Sequence, residues 1–202
     1  MRTPWGYSID ADALQDIITV EEFDAMTGGR YHGDTRVAGG INSASGTVRA
    51  YCGWHVAPAL PCTLTLRALD KRVSVSGPDM LIQLPAAGDI TVQSVEIGGE
   101  AVEDYDLEVN ILRLFDTGWI RRKTEIVIHY TAGLSGPFGA MVQEVVGERV
   151  THGVAQSYGI TTEQAGGVSV TYNASWTSGG GASALSELNM RALEPYRLQG
   201  VF

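Results

Sequence analysis

The apolar residues of this chain recur with two different periods, and the change between them divides the sequence. Spacings of three and four, which place residues on one helical face, occur at Ile41, Ala44, Val48 and Tyr51. Asn42 or Ser43 is suited to cap this helix, and Gly53 is suited to end it before Pro58. The pattern therefore predicts a short amphipathic helix that begins near Ser43 and stops abruptly.

Three further helices are predicted along the chain. Thr19-Val-Glu-Glu22 has the form of a capping box and opens a short helix that ends at Gly28-Gly29, after which residues 30–40 are predicted to be a loop. A longer helix follows Pro137, and a last one covers roughly Leu185 to Leu193. The stripe of the longer helix contains Phe138, Met141, Val142, Val145, Val146, Arg149 and Val150.

From Pro61 the period changes to two, which is typical of half-buried strands. Strands are predicted at 64–68, 73–75, 90–92, 95–97, 112–114 and 125–130. Glycine, proline and aspartate between them predict turns, and residues 103–108 are interpreted as a solvated acidic turn rather than a calcium loop. Residues 168–172 are predicted to form an isolated strand.

These elements predict an α+β fold, in which a small helical bundle is interrupted by an antiparallel β-module and followed by an extended C-terminal tail. The helices on either side of the interruption are expected to pack together, because neither apolar stripe is buried alone. We therefore predict a discontinuous helical domain of residues 1–60 and 133–202, with the β-module inserted as residues 61–132.

Charge restricts the classes of partner. The net charge of −9 argues against a protein that grips phosphates over a large surface. The basic cluster at 121–123 is interpreted as the rim of a hairpin. An acidic surface is compatible with DNA that passes without adhering.

The two cysteines and the first residues of the chain indicate a reducing compartment. Cys52 and Cys62 lack the spacing and the neighbours of a zinc site, and the opening residues lack the apolar run of a signal peptide. We expect free, mostly buried thiols. No apolar run is long enough to predict a membrane span.

Motifs for catalysis or for binding a metal or cofactor are not evident in the sequence. The four histidines, at 32, 55, 129 and 152, are interpreted as structural residues. Gly133-Leu-Ser-Gly-Pro137 misses the frame of a nucleophile elbow, and Gly179-Gly-Gly181 is not followed by the lysine of a phosphate loop. The sequence predicts a protein that is not an enzyme and has no cofactor.

Two groups of residues are predicted to serve packing or assembly. Trp54 is either a core aromatic or an anchor between identical subunits, since tryptophan is enriched at interfaces. The anchor group is Arg49, Tyr51, Trp54 and His55. The apolar and aromatic C-terminal tail is expected to dock on another surface, because chain ends otherwise fray. The tail group is Pro195, Tyr196, Arg197, Leu198, Val201 and Phe202.

Several segments together resemble the head-to-tail connector proteins of long-tailed bacteriophages, also called adaptor or head completion proteins. The segments that carry the resemblance are 19–23 (TVEEF), 26–29 (MTGG), 44–45 (AS), 48–58 (VRAYCGWHVAP), 130–133 (YTAG) and 193–198 (LEPYRL). They are distributed over nearly the whole chain.

The resemblance implies a structural virion protein at the neck, made in the host cytoplasm. Members form a ring, typically of twelve copies, beneath the portal protein. The ring extends the DNA channel for passing double-stranded DNA and provides the platform for a tail-side neck or tail-terminator protein. In the family the C-terminal segment reaches the portal. The basic fold is a small helical bundle, so the β-module of this chain is a departure.

Two other functions stay open from the sequence. The β-module could be a sandwich that binds a carbohydrate or a host surface, with Tyr105 and Trp119 as an aromatic platform. An enzyme would need a converging carboxylate pair or a Ser/His pair in a pocket, and the sequence selects neither.

Overall fold

The structure is a computed structural model of the 202-residue chain, and it describes residues 1–10, 12–117, 120, 123–155, 162–165, 168–171 and 185–198. Within these ranges four helices and antiparallel sheets confirm the predicted α+β class. The helices are α1 Val20–Met26, α2 Arg36–Cys52, α3 Gly136–Ala155 and α4 Glu187–Leu193. The strands are β1 Leu60–Arg67, β2 Val73–Ser76, β3 Asp79–Gln83, β4 Ile90–Ile97, β5 Glu100–Val102, β6 Tyr105–Glu108, β7 Ile111–Leu114, β8 Glu125–Ala132, β9 Thr162–Ala165 and β10 Val168–Thr171. No helix in the described part of the chain has both the length and the apolarity needed to cross a bilayer.

The chain is divided into two compact units. The first comprises Met1–Gln15, Cys52–Gly139 and Tyr196–Phe202. The second comprises Asp16–Tyr51 and Ala140–Pro195. The predicted division into domains stays a prediction. It assigned residues 1–60 and 133–202 to a helical domain and residues 61–132 to an inserted β-module.

The first unit contains a four-stranded antiparallel sheet in the order β1-β8-β4-β5. Strands β1 and β8 pair along their whole length, with Leu64 opposite Ile128. Alternate residues of these strands are buried, as the period of two predicts. The buried rows are Leu60, Cys62, Leu64 and Leu66 of β1 and Ile126, Ile128, Tyr130 and Ala132 of β8.

A second four-stranded antiparallel sheet of this unit has the order β2-β3-β7-β6. Its central strands bury Met80, Ile82, Leu112 and Leu114. Strands β3, β5 and β6 were not predicted, and the interpretation of 103–108 as a turn is wrong for residues 105–108. Tyr105 and Leu107 alternate with the acidic residues and lie opposite Leu114 and Leu112 of β7, so pairing at an apolar face outweighs the local charge.

Helix α1, in the second unit, begins as its sequence predicts. The Thr19 hydroxyl accepts from the Glu22 N–H at 3.1 Å, and the Thr19 N–H donates to the Glu22 carboxylate at 2.7 Å. Both bonds of the capping box are therefore formed. Phe23 is buried, which fixes the inward face of this short helix.

Helix α2 begins at Arg36, so the predicted start near Ser43 and the predicted loop over 30–40 are wrong for its first turns. The Asp34 carboxylate accepts from the Arg36 N–H at 2.9 Å and starts the helix earlier. Val37 is buried and extends the apolar stripe by one turn. Gly40 does not break the helix, and a Cβ there would lie 3.3 Å from Val150, so the glycine permits close packing.

The two predicted elements after residue 133 are also formed, with corrections. The predicted long helix is present as α3, and the four valines of the predicted stripe, at 142, 145, 146 and 150, are buried. Phe138 is 54% exposed and does not belong to the buried stripe. Strand β10 pairs with β9, so it is not isolated, and Tyr172 lies outside the described residues.

Candidate functional site

The segment that follows α2 has an unusual backbone. Gly53 has φ +78°, the left-handed conformation expected where a helix ends. Val56 has φ +65° although it is β-branched and completely buried. The Ala57 N–H donates to the His55 carbonyl at 2.8 Å, which closes a tight turn around Val56. Such a conformation costs about 1–3 kcal/mol, so surrounding contacts must hold it.

Trp54 holds the C-terminal segment against this turn. Its side chain is fully buried, and its indole N–H donates to the Tyr196 carbonyl at 2.7 Å. The Leu198 N–H donates to the Cys52 carbonyl at 2.9 Å, and the Leu198 side chain is buried. The last described residues of the chain are therefore held on residues 52–54 by one hydrogen bond from a side chain and one between backbone groups, and the Leu198 side chain is buried there.

His55 is the centre of a buried polar network. Its Nε2 lies 2.7 Å from the Ala132 carbonyl, which only accepts, so Nε2 carries the proton. Its Nδ1 lies 2.7 Å from the Tyr7 hydroxyl, which also accepts from the His55 backbone N–H at 3.1 Å. A neutral ring with Nδ1 accepting from the Tyr7 hydroxyl satisfies every one of these groups without burying a charge.

Gly133 brings a third segment against the turn. Its φ is +146°, and a Cβ at this position would clash with the backbone of Pro58 and Ala59. The next residue, Leu134, donates its N–H to the Val56 carbonyl at 2.7 Å. Glycine is therefore required here by both backbone conformation and close approach.

We call residues 52–58, 130–134 and 196–198 together the C-terminal junction. All three segments lie in the first unit and are connected by the hydrogen bonds just described. One segment of the sequence resemblance, 130–133, lies wholly within it, and parts of two others, 52–58 and 196–198, lie there too. The sequence indicated each segment separately, but it contained no signal that they meet.

The predicted anchor residues have different environments. Trp54 and His55 are both fully buried within the first unit, so neither offers surface to another subunit in this conformation. Arg49 is buried in α2. Tyr51 is half-buried in the second unit, and its hydroxyl donates a hydrogen bond to the Glu194 carboxylate at 2.6 Å. The interface role of this group stays a prediction.

The structure describes the predicted tail residues only as far as Leu198. Pro195 and Arg197 are exposed, Tyr196 is half-buried, and Leu198 is buried in the junction. Val201 and Phe202 lie outside the described residues, as does Trp119 of the alternative carbohydrate platform. Tyr105, the other residue of that platform, is half-buried in β6.

Both cysteines are buried thiols outside any disulfide, as predicted from the sequence. Burial raises the pKa of the Cys62 thiol to about 12, so this thiol stays protonated and unreactive at neutral pH.

Tyr7 was missed by sequence reasoning. The only signal was the alternation of Tyr7, Ser8 and Ile9, which is too short to predict a partner.

The described residues offer little chemistry. No group of three histidine, cysteine or acidic side chains among them is placed to hold a metal ion. A cleft of about 360 Å³ in the second unit is lined by Phe23, Tyr31 and the hydrogen-bonded side chains of His32 and Asp24, whose Nδ1–Oδ2 distance is 2.8 Å. His32 is exposed, and no serine, threonine or cysteine lines this cleft beside it.

Replacing Tyr7 by phenylalanine is expected to destabilise the protein by about 3 kcal/mol, because two buried groups of His55 lose their partner. Urea unfolding followed by circular dichroism measures the loss. Tyr31→Phe is the matched control, since the Tyr31 hydroxyl is buried without a hydrogen-bond partner among the described residues and its removal should be neutral or stabilising. Equal losses in the two variants would contradict the His55 network.

Neither a scan against protein-family models nor a search of curated proteins gives a match for this chain. The resemblance therefore rests on the segments themselves.

Proposed function

We propose that this chain is a structural virion protein that forms a ring, with twelve copies as the expected number, between the portal and the tail of a long-tailed bacteriophage. The ring extends the DNA channel and provides the platform for a tail-side neck or tail-terminator protein. The portal protein and further copies of this chain are its direct partners.

One observation carries the proposal: parts of three of the six segments of the resemblance contact one another. Residues 52–58, 130–133 and 196–198 are far apart in sequence, and in the fold they form the C-terminal junction. Chance similarity would scatter matched residues over unrelated positions. Their contact in the fold supports the interpretation that the three similar segments form one structural feature, the C-terminal junction.

Charge supports the same proposal. The net charge is −9, and a channel wall of like charge keeps the DNA polyanion from adhering as it passes. A DNA-gripping role would need clustered lysine and arginine, and the chain has 14 of these against 23 acidic residues.

The contacts of Tyr196 and Leu198 in the junction support a proposal about residues 199–202. Because Tyr196 and Leu198 are bonded to residues 52–54, the four residues after them start from a fixed point on the first unit. We therefore assign the portal contact to residues 199–202, in which Val201 and Phe202 supply apolar side chains. Residues 196–198 act as their attachment.

The test is the mass of the purified chain, alone and mixed with the portal ring of the virus that carries it, by native mass spectrometry. A large multiple of the 21.6 kDa chain, alone or on the portal, is the expected result. A 21.6 kDa monomer in both samples would contradict the proposal. A monomer that binds in a glycan array would instead favour the carbohydrate-binding alternative.

Two truncations separate attachment from folding. A chain ending after Leu198 should unfold like the full chain yet bind the portal at least about tenfold more weakly, because it lacks the apolar end. A chain ending after Glu194 should also lose stability, since the Trp54 indole and the Cys52 carbonyl lose their partners. Full portal affinity in the first truncation would contradict the assignment of residues 199–202.

A further inference from the structure

The second sheet of the first unit ends in two strands of different character, β2 and β6. They are the outer strands of the order β2-β3-β7-β6, and neither pairs on its outer side with another strand of the described residues. Unpaired strand edges present backbone donors and acceptors in a row and favour pairing with another chain. The surface formed by these two strands is therefore a candidate interface.

Hydrogen bonding inside the sheet determines which groups of β2 point outward. The Gln83 N–H donates to the Arg72 carbonyl at 2.9 Å, so residue 72 and alternate residues after it bond to β3. Val73 and Val75 therefore direct their backbone groups away from the sheet. The Val73 N–H is taken by the Asp70 carbonyl, which leaves the Val75 N–H and both valine carbonyls along the outer edge.

The same alternation applies to β6. The Phe115 N–H donates to the Asp104 carbonyl at 3.3 Å, so the residues that bond to β7 are the even-numbered ones. Tyr105 and Leu107 direct their backbone groups outward. The Leu107 N–H is held at 2.9 Å by the carboxylate of the preceding Asp106, a local bond that an added strand would replace.

The apolar side chains at both edges belong to the same face of the sheet. Val75 lies opposite Met80 across β2 and β3, and Tyr105 lies opposite Leu114 across β6 and β7. Met80 and Leu114 are themselves paired and buried, whereas Val75 is 68% exposed. These four residues therefore form one apolar row across the sheet, and the row ends in the exposed Val75. An apolar residue on an added strand would cover Val75.

The charges near the two edges are opposite. The residues that lead into β2 are Asp70, the exposed Lys71 and Arg72, whose guanidinium donates to the Trp5 carbonyl at 3.4 Å, and β2 itself has no acidic residue. Residues 103–108 contain four carboxylates and no cation. Asp106 and Glu108 are exposed, as is Lys71. Two β6 edges would repel each other through their carboxylates, and two β2 edges would gain no attraction between opposite charges. In contrast, β2 of one copy is complementary in charge to β6 of another.

Strand direction permits this contact to repeat. In a four-stranded antiparallel sheet the two outer strands run in opposite directions. A second copy related by a rotation brings its β2 antiparallel to β6 of the first and continues the alternation. Such a head-to-tail contact leaves one free edge of each kind, and it generates a ring if the rotation closes.

We propose that β2 of one copy pairs with β6 of the next and that this contact closes the ring. This inference rests on the ring proposed above and names its interface. The pairing places Val73 opposite Leu107 and Val75 opposite Tyr105, with the outward backbone groups of both strands facing each other. The partner is a second copy of this chain, because the β6 edge is complementary to the β2 edge in charge and in apolar pattern.

The test compares two substitutions of one residue. Val75→Pro removes the outward N–H and leaves the bonds of β2 to β3 intact, whereas Val75→Thr keeps the N–H and a branched side chain. Ring assembly in a dilution series, followed by mass photometry, should be about tenfold weaker for Val75→Pro than for Val75→Thr. Equal ring stability in the two variants would overturn the inference and leave the proposed ring function standing.

A second pair of variants covers the case in which the proline disturbs folding. Glu108→Lys reverses an exposed charge at the β6 edge, and Glu100→Lys makes the same change on β5 of the other sheet. Assembly should weaken by about tenfold in Glu108→Lys only. Equal assembly in these two variants would overturn the inference. Failure of the unaltered chain to form any ring would overturn the inference and the proposed function together.

Discussion

Replacing Trp54 by alanine is expected to lower the free energy of unfolding by about 3–5 kcal/mol. The indole is fully buried, so the substitution leaves a large cavity, and the Tyr196 carbonyl loses its donor. Chemical denaturation of the monomer, at a concentration below assembly, measures this loss. A loss below about 1 kcal/mol would contradict the core position of Trp54.

Trp54→Phe is the control that separates packing from hydrogen bonding. Phenylalanine keeps much of the apolar volume but has no indole N–H, so we expect a smaller loss of about 1–3 kcal/mol from the unpaired Tyr196 carbonyl. The same variants distinguish the two roles predicted for Trp54. A stable monomer that no longer forms rings would identify a subunit anchor, whereas an unstable monomer identifies a core residue.

Replacing Gly133 by alanine is expected to destabilise the protein by about 3 kcal/mol or more. The backbone at φ +146° is unfavourable for any residue with a Cβ, and that Cβ would meet the backbone of Pro58 and Ala59. Backbone atoms give way much less readily than the end of a flexible side chain. Urea unfolding measures the loss, and retained portal binding by the surviving folded fraction would indicate that the effect is on stability.

Gly99→Ala is the matched control for Gly133. Gly99 also has a positive φ, +87°, but a Cβ there meets nothing within 4 Å. It therefore tests backbone conformation alone, for which we expect a loss of about 1 kcal/mol. Equal losses at the two positions would contradict the close approach of Gly133 to residues 58–59.

Local patterns predicted those parts of the fold whose cause is itself local. The capping box of Thr19 and Glu22 requires only a stretch of four residues, and it is formed as predicted. The period-two segments of β1 and β8 predicted strands because alternate residues are buried on one face. The helix after Pro137 was predicted by its valine stripe for the same reason.

Predictions failed where a contact distant in sequence decided the outcome. The glycines at 39 and 40 predicted a loop, yet α2 continues through them, because Asp34 caps the helix earlier and Gly40 lies against Val150. Residues 105–108 contain two acidic side chains, and the strand β6 forms because the intervening apolar residues pair with β7. Local propensity is weak compared with burial of an apolar face.

The sequence by itself determined the α+β class, the positions of most helices and strands, and the residue types of the C-terminal junction. Only the tertiary structure decided that Trp54 bonds to Tyr196, that His55 bonds to Tyr7 and Ala132, and that Gly133 lies against Pro58. The physical reason is range. Periodicity and capping depend on neighbours within one or two turns, whereas these contacts join segments up to 142 residues apart, and their partners are selected by the packing of the whole unit.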